Sequence, residues 1–174
     1  LDNLSRVISS LGNGNHPAIV GMAEIENRKV LEDLLKTKHL KGKKYGIIHR
    51  NSRDERGIDV AAIYRTDLLT ELTYEYLSVD LPGDDETREI LYIKAKLIGK
   101  YLIHVFFNHW PSRREGEKES EPKRILAAKV LETKLFTLRK EFSTDPIFIL
   151  GDFNDEPNNK SIVEIIGAGK YDEK

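Results

Sequence analysis

Cysteine is absent from the 174-residue chain. That excludes disulfides, and with them any disulfide-linked partner, as well as thiolate metal sites and a cysteine nucleophile. The same absence suits a reducing or an oxidising compartment equally, so localisation stays unassigned. Long hydrophobic runs are missing too. None approaches the roughly 18 consecutive apolar residues of a spanning helix, and no membrane span is expected. Nor is there an excess of one charge: 28 Lys and Arg stand against 29 Asp and Glu, so no global field draws the protein onto a polyanion and any nucleic-acid contact must be local. Repeats, low-complexity segments and dividing linkers are likewise lacking, and residues 1–174 read as one domain.

What is there is a globular composition, 39% hydrophobic and 33% charged, long enough to bury a core. Leu4, Val7, Ile8 and Leu11 recur at helical spacing over residues 2–11, and "GNGNHP" stops that helix. A buried strand follows at 18–25, then a helix over "NRKVLEDLLK" with Val30, Leu31, Leu34 and Leu35 inward. Strands are expected at 45–50, 58–65, 69–79, 89–97 and 101–110. After the charged loop "SRREGEKESE", a long helix beginning near Pro122 presents Ile125, Ala128, Leu131, Leu135, Leu138 and Phe142 on one face. "PIFIL" is a further short buried strand, and "KSIVEIIGAGK" a last helix-like run. Strands alternate with helices, run consecutively, then alternate again, which predicts a layered α/β domain.

Polar residues cluster at three strand ends: Glu24 after "AIVGMA", Asn108 and His109 after "LIHVFF", and Asp152 and Asn154 after "IFILG". If those ends share one edge of the sheets they make a compact site, since ligands of open α/β folds collect where strand ends converge. Carboxylate and amide oxygens without thiolate suit a hard cation, Mg²⁺ or Mn²⁺, which keeps waters and binds through one or two carboxylates plus substrate phosphate. A neighbouring histidine can hydrogen-bond a phosphoryl oxygen or move a proton. Together these favour metal-assisted hydrolysis of a phosphate ester.

The blocks "GMAEIENR", "RGIDVAAIYR", "TREILYIKAKL", "FFNHWPSRR" and "FILGDFNDEP" resemble, in order, the motifs of the endonuclease/exonuclease/phosphatase superfamily, in its deoxyribonuclease I-like and exonuclease III-like branches. The resemblance spans residues 18–157. It implies a sandwich of two mixed β-sheets flanked by helices. Glu24 matches the metal-binding glutamate, and Asp152 and Asn154 the pair that positions nucleophile and phosphate. His109 matches a histidine on the scissile phosphate, Arg88 of "TRE" a phosphate-contacting arginine, and Asp59 of "GID" an acid that orients the motif histidine. Asn108 beside His109, and Arg113 just beyond it, join the substrate-binding candidates. Two features depart from the pattern. The family's first strand, with an asparagine near the metal, would precede Leu1, and the late serine-aspartate-histidine motif is missing, for none of His16, His39, His49, His104 and His109 follows an aspartate. The resemblance therefore implies an incomplete copy of the domain.

Several residues have plain structural readings. Asp155 and Glu156 suit a turn and a helix start, and His104 a strand interior. The basic stretches 36–44 and 112–120 are able to make a few phosphate contacts, but glutamates blunt the second, and no aromatic interleaving argues for base stacking. The leading expectation is a divalent-metal-dependent phosphodiesterase or nuclease whose phosphate-ester substrate is DNA or another nucleic acid. The alternatives are a phosphatase of sugar or lipid phosphates, and a catalytically incomplete binding or scaffold domain of the same fold.

Overall fold

The computed structural model describes residues 1–12, 14–83, 85–97 and 101–169. Helix α1 (Asp2–Ser10) leads to strand β1 (Ile19–Ile25), helix α2 (Arg28–Leu35) and strands β2 (Tyr45–Ile48), β3 (Asp59–Arg65), β4 (Leu69–Leu77), β5 (Ile90–Leu97) and β6 (Leu102–His109). Helix α3 (Glu117–Glu141), strand β7 (Ile147–Asp152) and a π-helical turn (Ser161–Ile166) complete the order. The last residue of the expected final helix, Lys170, lies outside the described residues. Asn27 starts α2 by accepting a hydrogen bond from the Val30 N–H at 3.1 Å, so the chain turns from β1 into the helix within two residues.

The strands form two sheets. One is antiparallel, in the order β1-β3-β2; the other, β4-β5-β6-β7, is antiparallel except for the parallel pair β6–β7. Only the second is mixed, where both were expected to be. Side-chain alternation divides each strand between two cores. Val60 and Ala62 of one sheet meet Leu91, Ile93, Val105 and Phe107 of the other. On the outer faces, Ile8 and Leu34 of α1 and α2 cover Ile63, while Ala128, Leu131 and Leu135 of α3 cover Tyr92 and Phe106. The result is an α/β/β/α sandwich. Gly21 lets the sheets close together, because a Cβ there would stand 1.9 Å from the Phe107 ring.

Two expectations are corrected. Helix α3 starts at Glu117, not near Pro122, which lies inside it. Glu117 and Glu119 favour the positive end of the helix dipole, so the charged stretch read as loop is in part the first turn. Strand β7 is not buried. It is the edge of its sheet, and Phe148 and Leu150, on the face turned toward the other sheet, are 49% and 47% exposed. The apolar run of "PIFIL" reports strand character, and its burial depends on what the neighbouring elements cover.

Candidate active site

Strands β6 and β7 are paired, and β1 contacts both, so the three strand ends are neighbours. In the parallel β6–β7 pair, Asn108 is in register with Gly151 and His109 with Asp152, so the histidine and the aspartate are cross-strand neighbours on one face. Gly151 makes the approach possible: at φ +133° it sits where a Cβ would meet the backbone of Asn108 at 2.1 Å. Past the strand end, Asp152 Oδ1 accepts from the Asn154 N–H at 2.9 Å, and Asn154 takes φ 51°, a left-handed conformation that asparagine tolerates. Its Nδ2 donates to the Trp110 carbonyl at 2.9 Å.

Glu24 reaches this edge through a bulge. Met22 pairs with Ala61 and Ile25 with Asp59, three steps on β1 against two on β3, and Glu24 in between has φ 58°. Such an insertion re-aims a side chain. Strand β1 lies over the other sheet here, enclosing a cavity of about 200 Å³ lined by residues including Gly21, Ala23, Phe107, Asn108 and Gly151.

The buried members have built-in partners. Asp59, 2% exposed, accepts from the Ser52 N–H at 2.7 Å and is bonded to His49 Nε2 at 2.8 Å. The histidine bonded to Asp59 is His49, because the β2–β3 hairpin places position 49 beside the start of β3. Arg88, 4% exposed, donates to the His109 carbonyl at 3.2 Å, the Trp110 carbonyl at 2.7 Å and Asp54 Oδ2 at 2.5 Å. Three of its five guanidinium N–H groups are thus engaged by the protein. Asn108 is likewise occupied, with Nδ2 on the Leu150 carbonyl at 3.0 Å and Oδ1 accepting from Trp110 Nε1 at 3.1 Å. Arg113 ties the loop after β7, donating to the Asn154 carbonyl at 2.7 Å and Asn159 Oδ1 at 3.1 Å. Asp155 is paired with buried Arg124.

His109 differs from these. It is 5% exposed, yet its Nδ1 has no hydrogen-bond partner. Burial, and then the charge of Arg88, hold its pKa below the usual imidazole value, against the opposing pull of Asp152 and Glu24. Both carboxylates are thus close enough to act on the ring, and both belong to exposed residues. Among the described residues no three His, Asp or Glu side chains gather into a closed metal cage. An open site is a different case. A hard cation that keeps its waters needs one or two carboxylates, and Glu24 and Asp152 fit that all-oxygen requirement.

Sequence reasoning missed His49 and Asp54. A histidine ending one predicted strand, with an aspartate opening the next, was the available signal for the first. Asp54 sits in a loop and carried no signal until its partner Arg88 was placed 34 positions away.

The fold is a two-sheet sandwich with acids, an amide and a histidine at neighbouring strand ends. The chain belongs to the endonuclease/exonuclease/phosphatase family, whose description matches residues 1–174. No curated protein matches it by sequence. Solved structures share the fold. Truncated Caenorhabditis elegans TDP2 is 17% identical with a TM-score of 0.63, over 88% of this chain and 55% of that one. D. rerio TDP2 complexed with a single-strand DNA product is 17% identical with a TM-score of 0.64, over 92% and 56%. ANGEL2, a 2′,3′-cyclic phosphatase in complex with adenosine-2′,3′-vanadate, is 16% identical with a TM-score of 0.71, over 94% and 46%. The chain spans about half the length of these structures. No helix among the described residues is long and apolar enough to cross a membrane.

Proposed function

We propose that this site belongs to a divalent-metal-dependent phosphoesterase, and that its substrate is a phosphodiester, DNA or another nucleic acid first. The observation that carries the reading is the pairing of His109 with Asp152 in register at the end of β6–β7, with Glu24 brought to the same edge by the β1 bulge. Glu24 is the carboxylate assigned to Mg²⁺ or Mn²⁺. The cation would supply Lewis acidity and charge stabilisation to the phosphoryl group. Asp152 has one oxygen held by the Asn154 N–H, which fixes the carboxylate while the other oxygen orients or deprotonates an attacking water. Asn154 donates one amide hydrogen to Trp110 and keeps a second for a phosphoryl oxygen. His109, with a ring nitrogen unpaired and its proton affinity lowered by burial, is placed as a neutral hydrogen-bonding partner of the phosphate. Asn108 and Arg113 frame the substrate edge and shape the strand end and the following loop. The complexes of the fold relatives, single-strand DNA in one and an adenosine-2′,3′-vanadate in another, support a nucleotide-type phosphate.

Hydrolysis of bis-p-nitrophenyl phosphate, plasmid DNA and single-stranded DNA with Mg²⁺, Mn²⁺ or EDTA tests this, using the protein as its own gene encodes it and its Asp152→Asn variant. Metal-dependent cleavage that disappears in the variant is expected. Turnover of monoesters or 2′,3′-cyclic phosphates alone would move the substrate to the phosphatase class. Inactivity on every ester, with the fold intact, would leave a binding domain.

A further inference from the structure

Arg88 lies at the junction of four segments that are distant in sequence. Its guanidinium reaches Asp54 in the loop between β2 and β3, and the carbonyls of His109 and Trp110 at the end of β6. The Trp110 carbonyl also accepts from Asn154 Nδ2, so both lone pairs of that oxygen are used. The Trp110 N–H donates to the Asp152 carbonyl at 2.9 Å. Asp54 is fixed from its own side. Its Oδ1 accepts from the backbone and side chain of Arg56, and its N–H bonds the Ser52 hydroxyl. Three of the five Arg88 N–H groups are thereby used, and with the side chain 3% exposed a phosphate reaches the other two only if the clamp opens and the buried ion pair is disturbed.

We infer that the Asp54–Arg88 pair is the positioning device of this site: it touches no substrate, but clamps the His109–Trp110 peptide and so sets the angles at which His109 and Asn154 face the phosphate. The activity arm of this inference rests on the proposed phosphoesterase reading; the geometric arm does not. Lysine cannot take over, because a single ammonium on a flexible stem does not span three acceptors in fixed directions.

Two measurements decide it. The first needs neither turnover nor a variant: the Arg88 Nε–H resonance of the wild-type protein is followed while inorganic phosphate is added. An unmoved Arg88 signal, while the Asn154 side-chain amide or the His109 ring responds, is expected; a saturable shift of Arg88 itself overturns the inference. The second compares Arg88→Lys and Asp54→Asn. Trp110 is the only tryptophan, so its indole N–H, bonded to Asn108, reports locally on the clamp. Expected are displaced Trp110 and Asn154 resonances in the ligand-free variants, and on bis-p-nitrophenyl phosphate a kcat lowered about 100-fold, as a small misplacement of reacting groups produces, with KM unchanged. A raised KM with kcat kept, or full activity in Arg88→Lys, counts against it. Should the protein hydrolyse no ester, the phosphoesterase reading fails while the resonances still decide the clamp. Should the variants not fold, the phosphate titration of the wild type decides alone.

Discussion

The candidate site has two halves that obey different rules. Glu24 and Asp152 belong to exposed residues at strand ends, and Asp152 keeps a second carboxylate oxygen beside the one held by the Asn154 N–H. Asp59, Arg88 and Asn108 are buried, and each is held by protein partners. The same residue types, an acid or a cation at a strand end, thus do opposite work. Where water reaches the group, its coordination capacity stays open; where it does not, the cost of an unpaired charge forces a partner into the fold. His109 stands on the boundary, buried like the second set but with an unpaired ring nitrogen like the first.

The sharpest way to break this contrast is to exchange its consequences. Asp152→Asn should leave melting unchanged and reduce metal-dependent phosphodiester cleavage by about 10²–10³-fold, the range for losing one preorganised catalytic group. Steady-state kinetics beside a thermal melt check it, and a stability loss with activity retained would invert the assignment. Asp59→Ala should act the other way. It strands both His49 and the Ser52 N–H, and should lower stability by about 3 kcal/mol, read from a urea transition midpoint.

Gly151→Ala probes the seam between the halves. A Cβ at that position meets backbone 2.1 Å away at a φ that side chains rarely adopt, so a loss of about 2 kcal/mol or more is expected, with displaced Asp152 and Asn108 resonances in the folded fraction.

Protons offer a gentler perturbation. His104, fully buried against Tyr92, has its pKa lowered by burial, only partly countered by Asp145 at 3.6 Å. The unfolded chain takes up that proton near pH 6.5, whereas the folded chain resists it to lower pH. Between those values the unfolded state binds more protons, so stability is full above about pH 6.5 and falls as pH drops toward the folded-state value. His109 acts in the same direction. Melting temperatures followed from about pH 7.5 to 5 should decline in the wild type and decline less in His104→Gln; equal slopes would remove His104 as a source. Smallest of all, Glu24→Gln should leave the melting temperature where it was, as exposed positions do, while abolishing the Mg²⁺-induced shifts expected of the wild-type spectrum.

Much of the fold was legible because its signals are local. Alternation and helical spacing located the strands among the described residues and the first two helices within a few residues, and polar residues after apolar runs marked the three strand ends that carry Glu24, Asn108 with His109, and Asp152 with Asn154. The misreadings share one cause. "PIFIL" looked buried, yet strand composition does not say which neighbours cover the strand, and β7 is an edge. Pro122 looked like a helix start, but the acids before it already hold a helical turn. The protein partners of Arg88 could not be read at all, because its three acceptors lie 21 to 34 positions away in the chain.

By itself the sequence determined the chemistry available at three strand ends and the order of the elements that carry them, because side-chain periodicity and turn residues act over a few positions. Only the tertiary structure decided that His109 falls in register with Asp152, that a bulge turns Glu24 toward them, and that Asp54 and Arg88 close on each other. Register and ion pairing join residues far apart in the chain, and which of them meet depends on how the two sheets pack rather than on any neighbouring residue.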